Sequence, residues 1–165
     1  MVSAGILEDM FSGAGMEYLY FKPNDNYAFG IDVFKVYKRD YSWRFGHLDY
    51  ENTLATANFY YRNYGTIPFD MKVSAGEYLA VDVGYTIEFS RSFYNGVQFG
   101  VFATFTDVTA EQFGEGSFDK GVFFNIPIYG NLVNYMWRPL TKDPGAKLNR
   151  RHTLHSLLVR LKPIN

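Results

Sequence analysis

Apolar and polar residues alternate along much of this chain, most clearly between residues 80 and 106. The odd positions of 80–91 are apolar and the even positions are small or polar: Val81, Val83, Tyr85, Ile87 and Phe89 against Asp82, Gly84, Thr86, Glu88 and Ser90. Successive side chains of a strand point to opposite faces, so this segment predicts a β-strand with one apolar and one polar face. Asn95-Gly96 follows as a hairpin signal, and 97–106 repeats the alternation. The pattern predicts two long strands joined by a tight turn.

The same pattern predicts about eight strands in all. They cover residues 12–22, 27–38, 52–62, 67–75, 80–91, 97–106, 121–128 and 152–162. Residues 1–10 fit either a short helix or a strand, and 39–51, 107–119 and 130–150 are predicted as connections. Strands of soluble proteins usually have about 5–6 residues, whereas a tilted strand that crosses a membrane needs about 9–11. We therefore predict an all-β fold: an antiparallel meander that forms an outer-membrane-type β-barrel, or part of a larger one, as a single domain over residues 1–165.

Alternation alone does not decide which face points inward. A soluble, lipocalin-like barrel that binds an apolar ligand would be lined by Val81, Val83 and Ile87. An outer-membrane barrel has the opposite arrangement, with its polar side chains inside. Two features favour the membrane barrel. Small or hydroxyl residues gather on the polar face (Gly30, Gly84, Thr86, Gly100, Thr104, Thr106), and aromatic residues recur towards strand ends (Tyr20, Phe21, Tyr27, Tyr61, Phe89, Phe105).

One expectation for a simple barrel is not met by the sequence. Such barrels alternate short turns at one end with long loops at the other. The links near Gly76-Glu77 and Asn95-Gly96 should lie at opposite ends, yet both are short.

Composition narrows the function further. The 14 Tyr and 16 Phe suit strands and membrane interfaces. A net charge of −1 argues against nucleic-acid binding, and the absence of Cys excludes disulfides and thiolate metal sites. No apolar run approaches the roughly 18 residues that a transmembrane helix needs, and no secretion signal is visible. We expect either a protein that is not exported or a mature or C-terminal piece of a longer chain.

Several short sequence words carry a family resemblance. They are Gly76-Glu-Tyr-Leu-Ala80 with Asp82 and Gly84; Ser90-Arg91-Ser-Phe93 with Asn95-Gly96-Val97; Ala103-Thr104 with Thr106-Asp107-Val108; and Phe113-Gly-Glu-Gly-Ser-Phe-Asp-Lys-Gly121, followed by Ile126-Pro127. Over most of its length the chain resembles the YjbH-like exopolysaccharide biosynthesis family, outer-membrane proteins encoded with capsule and polysaccharide export genes. The last word is the most specific, because its order has no generic structural explanation. Family members are several times longer, and this chain looks like their C-terminal part.

The resemblance implies a β-barrel at the bacterial outer membrane with a role in making or exporting exopolysaccharide or capsule. The partners it implies are membrane lipid, the secreted polysaccharide and other polysaccharide-export proteins, with no nucleic acid. We expect a structural or transport role, no enzymatic activity, no cofactor and no metal.

Three groups of residues are candidates for contact with the polymer. The lumen-facing candidates are Asp82, Glu88, Arg91, Gln98 and Thr104. The family-motif loop contributes Phe113, Gly114, Glu115, Gly116, Asp119 and Lys120. The candidates for stacking on sugar rings are Trp43, Tyr135 and Trp137.

Catalytic and metal chemistry find little support in the sequence. Asp82 and Glu88 share a strand face but are six residues, roughly 20 Å, apart, whereas a glycosidase pair needs about 5–10 Å. A polysaccharide-modifying enzyme would need two carboxylates that converge from different strands. His47, His152 and His155 lack metal-ligand spacing with carboxylates, and the acidic residues between Glu111 and Asp119 do not have the spacing of an EF-hand.

Overall fold

The computed structural model describes residues 1–8, 10–40, 46–113, 118–128 and 133–137. Within these ranges nine strands form one sheet whose order follows the chain, and every neighbouring pair is antiparallel. The strands are β1 (Val2–Glu8), β2 (Phe11–Phe21), β3 (Tyr27–Arg39), β4 (His47–Asn63), β5 (Phe69–Glu77), β6 (Val83–Ser92), β7 (Gln98–Thr106), β8 (Asp119–Ile128) and β9 (Val133–Trp137). The predicted all-β antiparallel meander is confirmed. Over the described residues β1 and β9 each have one neighbour, so this part of the sheet is open at both edges.

The only helix among the described residues is α1 (Ala110–Phe113), a single turn between β7 and β8. Its N-terminal side is held by Thr109, whose hydroxyl accepts from the backbone N–H of Gln112 at 3.3 Å. No helix in the described part of the chain has both the length and the apolar character needed to cross a membrane.

The observed strands differ from the predicted ones in four places. Residues 2–8 form a strand, β4 begins at His47 instead of residue 52, and 133–137 form β9 inside the segment predicted as irregular. Residues 80–82 belong to a turn and not to a strand. The predicted strand 152–162 lies outside the described residues.

The turn at residues 78–82 explains the wrong strand start. Val81 has φ 66°, in the left-handed region, where a strand cannot continue. The N–H of Tyr78 donates to the carbonyl of Asp82 at 2.9 Å, and the N–H of Val81 donates to the carbonyl of Tyr78 at 3.1 Å. Alternation of Ala80, Val81 and Asp82 therefore continues the strand pattern in sequence but not in conformation.

One face of the sheet is buried and carries polar and apolar side chains. Its buried polar residues are Glu17, Asn52, Asn58, Ser74, Thr86, Glu88 and Thr104, and its buried apolar residues include Phe34, Val36, Leu54, Tyr60, Phe102 and Phe123. The other face exposes large apolar side chains, among them Tyr18, Phe29, Ile31, Val83, Tyr85, Phe89, Phe99, Val101 and Val122. The lipocalin-like arrangement is wrong, because Val81 and Val83 are each 54% exposed instead of lining an interior.

The links between strands divide the sheet into two ends. At the first end β2–β3, β4–β5 and β6–β7 are joined over 22–26, 64–68 and 93–97, and we call it the short-turn end. At the second end the links are 9–10, 40–46, 78–82 and 107–118, and because the two longest links, 40–46 and 107–118, lie here we call it the long-link end. The links near Glu77 and Asn95 lie at opposite ends, as a meander requires. The first, over 78–82, folds over the buried face.

Gly84 allows β6 and β7 to approach closely. A Cβ atom at this position would lie 2.0 Å from the Phe105 carbonyl oxygen and 2.7 Å from Thr106 Cα. Both obstacles are backbone atoms, so a rotamer change cannot relieve the clash.

We expect Gly84→Ala to lower the free energy of unfolding by about 1–3 kcal/mol, the usual cost of overpacking. The measurement is guanidinium unfolding in detergent, followed by far-UV circular dichroism. Gly65→Ala is the matched control, because a Cβ there would contact only the Asn63 side chain, at 3.4 Å. Equal unfolding midpoints for the two variants would contradict the close approach.

Candidate functional site

A row of polar side chains crosses the buried face from β4 to β8. The register places Asn58, Ser74, Thr86, Thr104 and Asp119 side by side, and we call these five residues the polar row. Ser74 Oγ donates to Asn58 Oδ1 at 2.7 Å, and Asn58 Nδ2 donates to Asp32 Oδ2 on β3 at 2.9 Å. The hydroxyls of Thr86 and Thr104 are 3.0 Å apart. Cross-strand hydrogen bonds therefore join Asp32, Asn58 and Ser74 in one part of the row and Thr86 and Thr104 in another.

Burial explains why these side chains bond to one another. Ser74 and Thr86 are each 1% exposed and Thr104 is 3% exposed. A buried hydroxyl or amide without a partner costs about 1–3 kcal/mol. Short side chains that both donate and accept can satisfy each other across adjacent strands, and Ser, Thr and Asn have that chemistry.

The turn at 78–82, which we call the covering turn, places Tyr78 and Leu79 on the buried face. Tyr78 is 1% exposed, and its hydroxyl lies 3.0 Å from Thr86 Oγ1 and donates to the Ser74 carbonyl at 3.4 Å. Asn52 Nδ2 donates to the Tyr78 carbonyl at 2.9 Å, and the Tyr50 hydroxyl donates to the Leu79 carbonyl. The covering turn is thus bonded both to the polar row and to β4.

Leu79 anchors the covering turn through apolar contacts. It belongs to a buried cluster with Phe34, Val36 and Leu54, against which Leu7 and Phe11 also pack. These residues come from β1 to β4, so the covering turn reaches across strands distant from its own.

A second level of the buried face carries charges of both signs. Lys72 lies between Tyr60 and Glu88 in the register, and its ammonium is 5.6 Å from the centroid of the Tyr60 ring. Glu17 on β2 pairs in register with Asp32 on β3. Glu17 and Glu88 are both buried. Ionised groups at such positions require compensating partners, because burial disfavours the charged form.

Towards the short-turn end an ion pair joins β4 and β5. Arg62 Nε lies 2.5 Å from Asp70 Oδ1, and Arg62 Nη2 lies 3.2 Å from Asp70 Oδ2, a two-bond arrangement. Ser92 Oγ donates to the same carboxylate at 3.0 Å. Gln98 Nε2 donates to Ser90 Oγ, also at 3.0 Å.

The structure places four of the five predicted lumen residues on the buried side. Asp82, Glu88 and Thr104 are buried, and Gln98 lies on the same face through its bond to Ser90. Arg91 does not, which corrects the prediction. It shares the parity of Phe89, so it lies on the exposed face, with its guanidinium 5.4 Å from the Phe93 ring centroid.

The family-motif loop is described only at its two ends. Phe113 ends α1, whereas Gly114, Glu115 and Gly116 lie outside the described residues. Asp119 begins β8 opposite Thr104, and Lys120 is exposed with its ammonium 4.5 Å from the Phe118 ring centroid.

The structure locates two of the three sugar-stacking candidates, whose role stays a prediction. Trp43 lies outside the described residues. Tyr135 and Trp137 lie on β9, in register with Ile126 and Phe124.

The described residues contain no group of three or more His, Cys, Asp or Glu side chains arranged to hold a metal ion. His47 Nε2 lies 2.5 Å from Ser12 Oγ, and His152, His155 and Glu115 lie outside the described residues.

Sequence reasoning missed the residues that form the covering turn's contacts. Asn52 begins the predicted strand 52–62, and Tyr50 has the same parity, so extending the pattern of β4 by one repeat would have found Tyr50. Nothing in the period of two indicates that Tyr78 folds back, although it lies in one of the sequence words that carry the family resemblance.

The fold and site define a class: an all-β antiparallel sheet with its polar face buried and its apolar face exposed. Residues 1–160 match the family model described as exopolysaccharide biosynthesis protein YbjH. The chain is 36% identical over 168 residues to the protein named "Uncharacterized lipoprotein YjbH" of Escherichia coli (strain K12). It therefore belongs to the YjbH exopolysaccharide biosynthesis family, and the resemblance found in the sequence is confirmed. The alignment covers 94% of this chain and 24% of that relative, so the chain spans about a quarter of the relative's length. No solved structure matches the chain significantly.

We expect Thr86→Val to lower the free energy of unfolding by about 1–3 kcal/mol, since it leaves buried hydroxyls of Tyr78 and Thr104 without their Thr86 partner. Valine keeps the shape and β-branching of threonine, so the change isolates the hydroxyl. The measurement is chemical unfolding in detergent. Thr53→Val on the exposed side of β4 is the control and should leave the unfolding midpoint unchanged. A Thr86→Val protein as stable as the control would argue against the hydrogen-bonded row.

Proposed function

We propose that this chain forms part of an outer-membrane β-barrel that positions or passes exopolysaccharide during its biosynthesis or export, with no chemistry of its own. The observation that carries the proposal is the inverted arrangement of the two faces. Large apolar side chains cover the exposed face, whereas the hydroxyl, amide and charged groups lie on the buried one, among buried apolar residues such as Phe34, Leu54 and Phe102. In water this arrangement is unfavourable, whereas in a bilayer it places apolar groups against lipid.

Strand length supports a membrane setting. Strands β2 to β8 have between 9 and 17 residues. At about 3.4 Å per residue and a tilt near 45°, a ten-residue strand covers roughly 24 Å of membrane thickness. The apolar band of an outer-membrane barrel is about 25 Å tall.

The aromatic residues support it as well. Towards the short-turn end, Phe69 lies 6.2 Å from Tyr61 and 6.4 Å from Phe89, measured between ring centroids. Towards the long-link end, Phe105 stacks on Tyr85 at 5.2 Å and on Phe118 at 4.7 Å. Val73 and Ile87 pair between the two groups, in a register row that continues to Phe59 and Phe29. Aromatic residues towards both ends of the strands are typical of the two interfaces of a membrane barrel.

The open edges of the described sheet fit a barrel wall that further strands complete. Unpaired backbone groups in hydrocarbon are very unfavourable, so a sheet in lipid has to pair the outer edges of β1 and β9. We propose that such pairing makes this sheet one part of a closed barrel.

Family membership supports the proposal that polysaccharide is a partner. The relative's name calls it a lipoprotein, which favours membrane association for this chain too. Saccharide hydroxyls both donate and accept hydrogen bonds, as do the hydroxyl and amide groups of the buried face. Membrane lipid, the secreted polysaccharide and other polysaccharide-export proteins are the partners that we propose.

The membrane setting is tested with the purified chain. We expect a β-type circular dichroism spectrum and a single monodisperse species in detergent, and aggregation when detergent is removed, because the apolar face needs lipid-like solvent. The measurement combines size-exclusion chromatography with far-UV circular dichroism in both conditions. A monodisperse, β-rich chain in plain buffer would refute the lipid-facing surface.

The export role is tested in cells with full-length protein. We expect Glu88→Gln to reduce surface exopolysaccharide several-fold, because it removes a charge from the buried face while keeping the side chain's shape. Glu51→Gln is the matched control, since Glu51 forms its ion pair with Lys35 on the exposed face. Polymer at the cell surface and the amount of folded protein in the membrane are measured together. Normal polymer levels with Glu88→Gln would remove this residue from the polymer-facing set.

A further inference from the structure

We propose that Ser74, Thr86 and Thr104 form a binding site for saccharide hydroxyls, and that Tyr78 of the covering turn occupies this site in the closed state. This inference rests on the proposed function, since it concerns the same buried face. The inference names saccharide hydroxyls as the groups that bind at the site. It also names the covering turn as the segment that has to move away before a polymer can bind.

The first argument is occupancy. Ser74, Thr86 and Thr104 are at most 3% exposed, so no saccharide can reach them while the covering turn is in place. Tyr78, itself 1% exposed, contacts both Ser74 and Thr86 through its hydroxyl. A polymer that uses these groups must replace the phenol.

The second argument is chemical equivalence. The phenol of Tyr78 is a hydroxyl on a six-membered ring and can donate one hydrogen bond and accept others. It meets a hydroxyl at 3.0 Å and a backbone carbonyl at 3.4 Å. An equatorial hydroxyl of a pyranose ring offers the same donor and acceptor. Replacing one by the other leaves no buried hydroxyl of the site unpaired, which is the condition for a low-cost exchange.

The third argument is that the covering turn is strained. Val81 is β-branched and has φ 66°, a conformation that costs such residues about 1–3 kcal/mol. Its side chain is 54% exposed, so its own packing does not compensate that cost. The contacts of Tyr78 and Leu79 have to hold the turn closed, and releasing them also releases the strain.

The fourth argument is that the anchors of the covering turn are non-covalent. Besides the hydroxyl contacts, side chains of Tyr50 and Asn52 bond to the backbone of the covering turn, and Leu79 packs in one cluster. Segments that open in transport and binding proteins are held by contacts of this kind, which can break and form again.

The test is a reversible lock in full-length protein reconstituted into lipid vesicles loaded with maltoheptaose, a neutral oligosaccharide. Residues 1–165 contain no Cys, so the double variant Leu54→Cys with Leu79→Cys adds the only thiols of this segment. Both positions belong to the same buried cluster. Disulfide formation is followed by gel mobility, and the single-cysteine variants are the controls.

We expect oxidation of the double variant to slow maltoheptaose release several-fold, and a reductant to restore it. In the opposite direction, Leu79→Ala removes the apolar anchor and should accelerate release several-fold. The single-cysteine variant Leu79→Cys supplies a readout independent of transport, because added maltoheptaose should increase its labelling by a polar maleimide.

Two outcomes overturn the inference, and they are distinguishable. If maltoheptaose passes at the same rate in the oxidised, reduced and Leu79→Ala proteins, the covering turn is a fixed part of the wall and the proposed function survives without it. If membrane-inserted protein passes no saccharide in any of these forms and maleimide labelling is unchanged, the transport function fails and the inference fails with it. A Leu79→Ala protein that does not insert is replaced by Tyr78→Phe, which keeps the ring and removes only the hydroxyl.

Discussion

The structure depends on one constraint: a single sheet has to satisfy its buried polar groups within itself. The apolar face is turned outward, so the polar side chains are removed from solvent by the sheet and by the covering turn. The register brings such groups together on neighbouring strands: Ser74 bonds to Asn58, and the hydroxyls of Thr86 and Thr104 meet. A slip by one residue between any two of these strands would place hydroxyls against the exposed apolar band. Hydrogen bonding on the buried face therefore fixes the register as firmly as hydrophobic burial does in a soluble sheet.

The same constraint explains the choice of side chains. A hydrogen-bonded row needs short groups that donate and accept, and Ser, Thr and Asn are the residues found there. Where backbones approach most closely, glycine is required, as at Gly84 beside the Phe105 carbonyl. On the same face an ion pair joins Arg62 to Asp70. On this face, specific polar pairing holds the strands in register, as apolar packing does in soluble sheets. The apolar cluster around Leu79 is small.

The sequence could predict those features that repeat with a period of two. The alternation of apolar and polar residues predicts the meander, most strand positions and the sheet face on which Glu88, Gln98 and Thr104 lie. The short sequence motifs predict the family. What it could not predict depends on contacts distant in sequence. Val81 keeps the alternation although its backbone leaves the strand. Arg91 is a lumen-facing candidate in the sequence analysis, yet it shares the parity of Phe89 and lies on the exposed face. β1 lacks a clear pattern because Gly5 and its small neighbours carry little periodic signal, and pairing with β2 makes it a strand.

The covering turn remains the feature that stability alone explains least well. A sheet could pair Ser74, Thr86 and Thr104 among themselves and join β5 to β6 by an unstrained turn that points away from the face. Instead the chain places a β-branched residue at φ 66° and inserts a tyrosine whose hydroxyl competes for the same partners. Backbone strain of this kind persists where surrounding contacts enforce it, and it concentrates at segments that switch or bind. A hydroxyl brought by a strained segment can be exchanged for a hydroxyl brought by a ligand, since the buried groups stay paired in both states. The backbone strain of the closed turn is released when the turn opens, so it lowers the free energy needed for opening.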